Sequence, residues 1–468
     1  MKDKKQYFKW LLISIFVVVC ALASVKVAGI KDGFTFTLSL IITLYILFNA
    51  KKNIKRCMYL FIMSMPILVT ARKLLYLDLF IIKLNFESII ILYLFICNYK
   101  QIKLKIVELF ERNKKLFYFI ILLCFSSYIS CMFSTNFILS LELTTTSILV
   151  PVLLAALALA VFNKGDIKRI VYSLIISVNF SCLYGLVQLL GIGLSIDAIK
   201  SSREMITFGY HNVNIFVNVV LMVFPLLLNE ILYKKNTIKE NIFLIVSAIL
   251  QMGSTFITFS RGAWLSLGLV VVLILFSKKY RYVFMAIVIA GGLMSPFVLP
   301  KIMGRGDSSS HFLQNTSNTA RVLSIIASKD IMLDNVFGVG YGNFNESYRL
   351  NADDAYMSID YEVRKNMVTP LYTMEHAHNL FLNVGVELGI FALIAILGIF
   401  IIQIRKSISN YSESRGIFVS LILFIFIGVT TGIQLNHKGV VTNTYILWLL
   451  FAMILLIDKN DNKLDITK

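Results

Sequence analysis

Glu375-His376-Ala377-His378-Asn379 opens onto Leu380-Phe381-Leu382-Asn383-Val384-Gly385-Val386-Glu387-Leu388-Gly389-Ile390, and the run stays apolar as far as Gln403. Residues 380–403 carry one charged side chain, Glu387. That is long enough to cross a bilayer as a helix, which takes about 20 apolar residues. A polar stretch that ends on such a run is a loop returning to a membrane. The interval before it, residues 301–377, is rich in Asp, Asn, Ser, Arg and Tyr, and no other polar interval in the chain is as long.

Further apolar runs occur near 10–28, 33–50, 57–72, 79–97, 116–134, 144–162 and 168–190, and then near 213–232, 241–258, 263–277, 282–299, 415–433 and 439–457. The expectation is an all-α, polytopic integral membrane protein of about fourteen transmembrane helices, with one large extracytoplasmic loop containing short helices. The 468 residues are 58% hydrophobic and 15% charged, where a soluble domain has about half and a quarter. The runs near 57–72 and 79–97 fit least well. Lys83 and Glu87 lie inside the second of these, where they would share one helical face and neutralise each other; a re-entrant or tilted element fits the same residues. Lys2, Lys4, Lys5 and Lys9 with Ala21-Leu22-Ala23 have the form of a cleaved leader. The length of the first run and the many spans after it favour a retained first helix.

Lys and Arg fall in alternate loops. One set carries Lys51, Lys52, Lys55 and Arg56; Lys100 to Lys115; Lys164, Lys168 and Arg169; Lys234, Lys235 and Lys239; Lys278, Lys279 and Arg281; and Arg405, Lys406 and Arg415. The other set is poor in both, apart from the long loop. Cytoplasmic loops are enriched in these residues, so both termini are expected in the cytoplasm and the long loop outside. The clusters account for the net charge of +19; the partner they imply is a lipid bilayer, and no nucleic acid. The six cysteines lie in or beside apolar runs without a CxxC spacing, which excludes a disulfide framework and a zinc site.

All five histidines fall on the outer side of this topology, with Arg203, Arg261 and Arg321. Proton transfer near neutral pH is therefore expected outside. Thr258-Phe259-Ser260-Arg261-Gly262-Ala263-Trp264 makes an outer turn. Arg261 either reaches for lipid headgroups or holds an anionic substrate group, with Ser260 and Gly262 letting the backbone come close. Ser317-Asn318-Thr319 would cap a helix from about Ala320 to Leu333, apolar along Val322, Ile325, Ile326 and Ile331 and ended by Asp334-Asn335. Arg321 in its first turn is either a solvated surface residue or part of a phosphate receptor, because free N–H groups disfavour a cation there unless an anion also binds.

Gly338-Val339-Gly340-Tyr341-Gly342-Asn343-Phe344 reads as turns; as a nucleotide motif it lacks the strand before and the helix after. His376 and His378 are two apart and share no helical face, which excludes an HExxH-type metal site. His378 is either a hydrogen-bonded boundary residue or a neutral imidazole placed to take a proton from a hydroxyl. Thr207-Phe208-Gly209-Tyr210-His211-Asn212-Val213-Asn214 enters a membrane helix from outside in the same manner. Asn212 and Asn214 there either line a polar groove or satisfy a helix end. Asp353-Asp354 shows no coordination spacing and reads as a solvated loop or a divalent-ion site.

Ser260-Arg261-Gly262, Arg321 followed by Gly338-x-Gly340-x-Gly342-x-Phe344, Ala377-His378-Asn379-x-Phe381-Leu382, and Gly389-Ile390 after Glu387 together resemble the O-antigen ligase and bacterial polysaccharide polymerase superfamily, over about residues 200–400. With the apolar runs and the loop charges, the resemblance divides the chain into N-terminal transmembrane helices over 1–200, a ligase- or polymerase-like membrane region over 201–457 that includes the loop 301–377, and a cytoplasmic tail over 458–468. It implies a bacterial cytoplasmic (inner) membrane location and a metal-independent, inverting glycosyl transfer with no cofactor. The donor would be an undecaprenyl-diphosphate-linked glycan, and the acceptor a glycan or a lipid-linked acceptor. By the family pattern Arg261 and Arg321 hold the diphosphate and His378 is the base. Arg203, His211, Asn212, Asn214, Ser260 and Asn379 are the candidates for holding the rest of the substrate. Polymerisation of repeat units is the reading preferred over O-antigen ligation or protein O-glycosylation. A lipid-linked sugar flippase is the rival outside enzymes, but flippases carry repeated halves and midplane polar residues, and here the polar candidates gather at the outer surface.

Overall fold

The computed structural model describes residues 33–458 apart from 72–76, 80–81, 194, 203–204, 211, 277, 284, 287–288, 290–291, 294–315, 369–371, 431–434 and 437–438. The run expected near 10–28, much of that near 282–299, and the tail beyond Asp458 lie outside the described residues.

Helices α1 (Gly33–Asn49) and α2 (Ile54–Thr70) lead into a hairpin of β1 (Leu77–Leu79) and β2 (Ile82–Leu84), antiparallel with Asp78 opposite Lys83. The fold is nearly all helical, as expected, and the hairpin corrects one expectation: Lys83 lies in β2 while Glu87 lies in the first turn of α3 (Phe86–Cys97), so the pair shares no helical face. The cause is local: Asn85 accepts the Ser88 N–H at 2.9 Å and starts the helix after Lys83.

Next come α4 (Tyr99–Arg112), α5 (Lys114–Cys131), and α6 (Phe137–Thr144), which a π turn at Thr145–Leu149 joins to α7 (Val150–Val161). They are followed by α8 (Ile167–Ile192), α9 (Ile196–Ser201), α10 (Val213–Tyr233), α11 (Ile238–Ile257) and α12 (Arg261–Leu275). After residue 315 come α13 (Thr316–Asp334), α14 (Phe344–Met357), the short α15 (Tyr361–Arg364) and α16 (Leu380–Leu388). The last three are α17 (Ile390–Ser409), α18 (Tyr411–Thr430) and α19 (Thr442–Ile457). Seven segments of the described residues are long and apolar enough to span a membrane: α5, α6–α7, α8, α10, α11, α17 and α18. Four shorter apolar helices, α1, α3, α12 and α19, accompany them. The run expected at 380–403 is divided at Gly389 (φ 91°), and only α17 is of spanning length.

Helix α10 is buried almost all round, whereas α11 exposes Ile238, Ile242, Ile245, Ile249 and Phe256 along one side, an apolar face suited to lipid. Polar side chains join α11 to α8: Asn179 Nδ2 donates to Ser247 Oγ at 2.8 Å and Gln251 Nε2 donates to Asn179 Oδ1 at 3.1 Å. Ser420 Oγ donates to the Met222 carbonyl at 2.7 Å and Gly416 lies against Asn229, so α18 runs antiparallel to α10. The Tyr233 hydroxyl donates to the Ile274 carbonyl at 2.7 Å, so α12 runs parallel to α10. Leu380 packs on Gly428 at the far end of α18. The N-termini of α10, α12 and α16 therefore gather at one end of the bundle, and Lys164, Lys168, Lys234 and Lys235 at the other.

Above the first end lies a cap. Ala320, Ala327 and Ile331 of α13, Phe344, Tyr348, Ala352 and Ala355 of α14, and Val386 of α16 form a second apolar core with Val339, Met374 and Ala377.

Candidate active site

Three non-glycine residues among those described have positive φ: Phe208 (53°), Phe259 (49°) and His378 (51°). Each stands just ahead of one of the helix N-termini gathered under the cap. The left-handed region costs an L-residue about 1–2 kcal/mol, and such strain persists only where surrounding contacts over-determine it.

Phe208 is held by a stack on Phe216, with ring centroids 3.9 Å apart and nearly parallel. A Cβ at Gly185 would sit 2.0 Å from the Phe208 ring, so that place on α8 requires glycine. Gln188 closes the turn by accepting the Phe208 N–H at 2.9 Å. Asn212 is the N-cap of α10: its side-chain oxygen accepts the Asn214 and Ile215 N–H groups at 2.9 and 3.1 Å. That cap occupies the Asn212 oxygen, and Asn214 is exposed in the first turn. Ser260 stands at the N-cap of α12 without a side-chain cap bond, half-buried, and Arg261 is the first residue of the helix. Arg203, His211 and the side chain of Arg261 lie outside the described residues.

Asn379 caps α16 as Asn212 caps α10, accepting from the Phe381 and Leu382 N–H groups at 3.0 and 3.2 Å. Its oxygen is thereby committed to the helix. His378 immediately precedes it, half-buried, its ring 4.4 Å from that of His376 and tilted by 51°. Between the two histidines Ala377 is fully buried and pinned from both sides. Its carbonyl accepts Ser324 Oγ of α13 at 3.2 Å, and its N–H donates to Asn383 Oδ1 of α16 at 3.1 Å. Ser324 Oγ also lies 2.9 Å from the Arg321 carbonyl, so the two carbonyls share its one proton. The turn of α13 that carries Arg321 thus sits directly on the segment that carries His378. Arg321 is half-buried, and its Nε has no hydrogen-bond partner among the described residues.

The helix of Arg321 differs from expectation. It already includes Thr316, so Arg321 lies beyond its first turn, past the unbonded N–H groups that the phosphate-receptor argument used. Its buried face is Thr319, Ala320, Leu323, Ser324, Ala327, Ser328 and Ile331, while Ile325 is exposed. Small side chains let α13 approach Ala377 closely, and a pattern search weighted to large apolar residues misses that face.

The glycine run has a structural task. Gly338, Gly340 and Gly342 all have φ near +85°, at 85°, 87° and 85°. They aim N–H groups at the C-terminus of α16: the Val339 N–H meets the Val386 carbonyl at 2.9 Å and the Gly340 N–H meets the Glu387 carbonyl at 3.0 Å. Ser126 Oγ of α5 satisfies the Leu388 carbonyl at 2.9 Å. Three carbonyls that a helix end leaves unbonded are so provided for.

Two residues not chosen from the sequence complete the arrangement. Asn383 Nδ2 donates to Glu387 Oε2 at 2.7 Å, and Glu387 Oε1 accepts the Gly342 and Phe344 N–H groups at 3.0 and 3.4 Å. A buried chain therefore runs from the Ala377 N–H through Asn383 and Glu387 to the glycine run. Burial pushes the Glu387 carboxyl up to about 8 against the pull of these donors. The signal was available: Asn383 and Glu387 are polar, four apart, and share a face inside an apolar run. Asp353, considered above as an ion ligand, lies on α14 and accepts the Tyr372 hydroxyl at 2.8 Å.

The arrangement sets an imidazole at the mouth of a helix N-terminus, next to an arginine-bearing turn, under a cap and at a membrane surface. No curated protein matches the chain. Residues 246–397, which run from within α11 through the cap to within α17, match the family model described as O-antigen ligase. That stretch, which covers less than half of the chain and contains Arg261, Arg321 and His378, is similar to the O-antigen ligase family.

Proposed function

We propose that this membrane protein transfers a glycan from undecaprenyl diphosphate to an acceptor hydroxyl on the outer face of the cytoplasmic membrane, polymerising surface-polysaccharide repeat units. The family match supports glycosyl transfer in surface polysaccharide biosynthesis. The observation that carries the mechanism is the pinning of Ala377 by Ser324 and Asn383, which sets His378 beside the Arg321 turn.

In this reading His378 takes the proton of the acceptor hydroxyl as its oxygen bonds to the anomeric carbon. The bond from that carbon to the diphosphate oxygen breaks on the opposite face, so the configuration inverts. Negative charge gathers on the departing diphosphate, where Arg321 and Arg261 stabilise it most in the transition state. Asn379 and Asn212 act by fixing the helix ends; Arg203, His211, Asn214 and Ser260 are proposed to line the groove. No step is assigned to a metal, and activity that persists in chelator is expected.

The test is a deletion strain complemented with Arg261→Ala, Arg321→Ala or His378→Ala. Lipid-linked repeats should still be made and long polysaccharide lost. Normal polysaccharide from all three variants, each present in the membrane at the parental level, refutes the assignment. Single repeats attached to the final acceptor identify a polymerase; unattached long chains identify a ligase instead.

A further inference from the structure

Around the end of α14 the protein surface carries exposed aromatic rings that are nevertheless held in place. The Tyr372 ring is 46% exposed, yet its hydroxyl is tied to Asp353 Oδ1 of α14 at 2.8 Å. Tyr361, at the start of α15, is 67% exposed. The Arg364 guanidinium lies 6.0 Å from its ring centroid and 5.5 Å from that of Tyr356. Arg364 is itself anchored, Nη1 donating to the Met357 carbonyl at 3.1 Å. Apolar ring surface left in water is costly, and here a hydrogen bond and a cation fix the rings where burial does not.

The rings lie along a line that leads to the candidate active site. Asp353 and Met357, which hold the Tyr372 hydroxyl and Arg364, are four residues apart on α14, about 6 Å along its axis. The Met374 N–H donates to Asn345 Oδ1 at 3.0 Å, eight residues before Asp353. The segment that starts at Tyr372 therefore runs back along α14 towards its N-terminus, and it continues into the pinned Ala377 and then His378.

The surroundings select the occupant. Protein interfaces centre on a core depleted of charge, whereas Asp353 is bonded to one ring here and Arg364 stands over two. Lipid-surface helices carry Lys and Arg on their polar side, whereas Asp353, Asp354, Asp360 and Glu362 outnumber Arg364 and Lys365 over this stretch. A sugar ring has C–H groups on its faces and hydroxyls at its rim. That combination suits a tyrosine ring with a carboxylate or a guanidinium at its edge.

We propose that Tyr372, Tyr361 and Arg364 form a track for the glycan chain, holding uncharged sugar residues away from the linkage made at His378. The proposal rests on the glycosyl-transfer reading and adds to it a second hold on the same substrate. The test uses the full chain in detergent and lipid-free fragments of the host's surface polysaccharide, one repeat and several repeats long, titrated by native mass spectrometry. The longer fragments should bind at least about tenfold tighter than the single repeat. Tyr361→Ala with Tyr372→Ala should abolish that difference, and Tyr361→Trp with Tyr372→Ala should restore part of it. In cells the double alanine variant should still make polysaccharide, shifted to shorter chains. Fragment binding reads the track and polymer made by His378→Ala reads the catalytic assignment, so either can fail alone. Equal affinity of long and short fragments for the unaltered chain overturns the track, and that comparison needs no variant to fold. Length-dependent binding that survives in the double alanine variant overturns it as well. If that variant instead loses a co-purifying protein, the face belongs to a protein partner.

Discussion

Replacing Glu387 by Leu isolates the buried chain that holds the His378 segment. Leu fills most of the same volume and accepts no hydrogen bond. Two well-formed donors, the Gly342 N–H at 3.0 Å and Asn383 Nδ2 at 2.7 Å, would be left buried without acceptors. Each costs about 1–3 kcal/mol, hence about 4 kcal/mol for the pair. Once released from Glu387, Asn383 is free to turn, and its oxygen leaves the Ala377 N–H that it meets at 3.1 Å. A loss of about 2 kcal/mol of local protection at Ala377 corresponds to amide exchange on the order of 30-fold faster.

Hydrogen exchange on the full chain in detergent, with fragmentation to resolve residues 374–379, measures this directly. Glu387→Gln separates the two halves of the chain. Its amide oxygen still accepts from Gly342 and Phe344, but its NH₂ confronts Asn383 Nδ2. Ala377 should therefore exchange faster in both variants, and Gly342 only in the Leu variant. An Ala377 amide that keeps the parental rate in both refutes the chain, whatever the polysaccharide yield.

The Glu387 carboxyl also sets a pH dependence. Unfolded it ionises near its ordinary 4.5 and native near 8, so the native state holds the extra proton between those values. Stability should fall as pH rises from about 4.5 to about 8, and thermal unfolding of Glu387→Gln should show a flatter profile over that window. Gly338→Ala should cost more than the roughly 1–2 kcal/mol of its left-handed φ, because its Cβ would meet the Glu387 carbonyl oxygen at 2.5 Å and the Gly389 nitrogen at 2.6 Å, both backbone. Gly253→Ala, where a Cβ meets nothing within 4 Å, should leave thermal unfolding unchanged or raised. His378→Gly should be slightly more stable than the parent, relief of about 1–2 kcal/mol of strain outweighing about 0.5–1 kcal/mol of added chain entropy. In a polysaccharide assay the same variant should make no polymer.

The membrane class was legible because it rests on composition and run length, which need no knowledge of packing. The outer turns were legible as turns for the same local reason: Ser260, Asn379 and Asn212 announce helix starts. What the sequence hid was non-local. The glycine run read as turns, but the carbonyls it serves belong to α16, more than forty positions later, and no local pattern connects them. Helix α13 was placed too late because Ser317-Asn318-Thr319 was read as a cap, whereas those residues lie inside a helix that already includes Thr316. The expected apolar side included Ile325, which is exposed, and omitted Ala320, Ala327 and Ser324, whose small size is what lets Ala377 approach.

The three left-handed residues differ in what offsets their strain. Phe208 buries its ring completely against Phe216, and Phe259 packs near Trp264 at 6.3 Å between centroids. For both, an aromatic side chain delivered into the bundle is sufficient reason for the backbone geometry. His378 buries less than Phe208, and its neighbour Ala377 carries two hydrogen bonds that hold the turn. Glycine would satisfy that backbone at lower cost. Burial of the ring therefore explains Phe208, whereas the turn at His378 is held through the residue next to it. Strain maintained from outside the residue, at the mouth of a helix and beside the Arg321 turn, supports a role for the imidazole in chemistry.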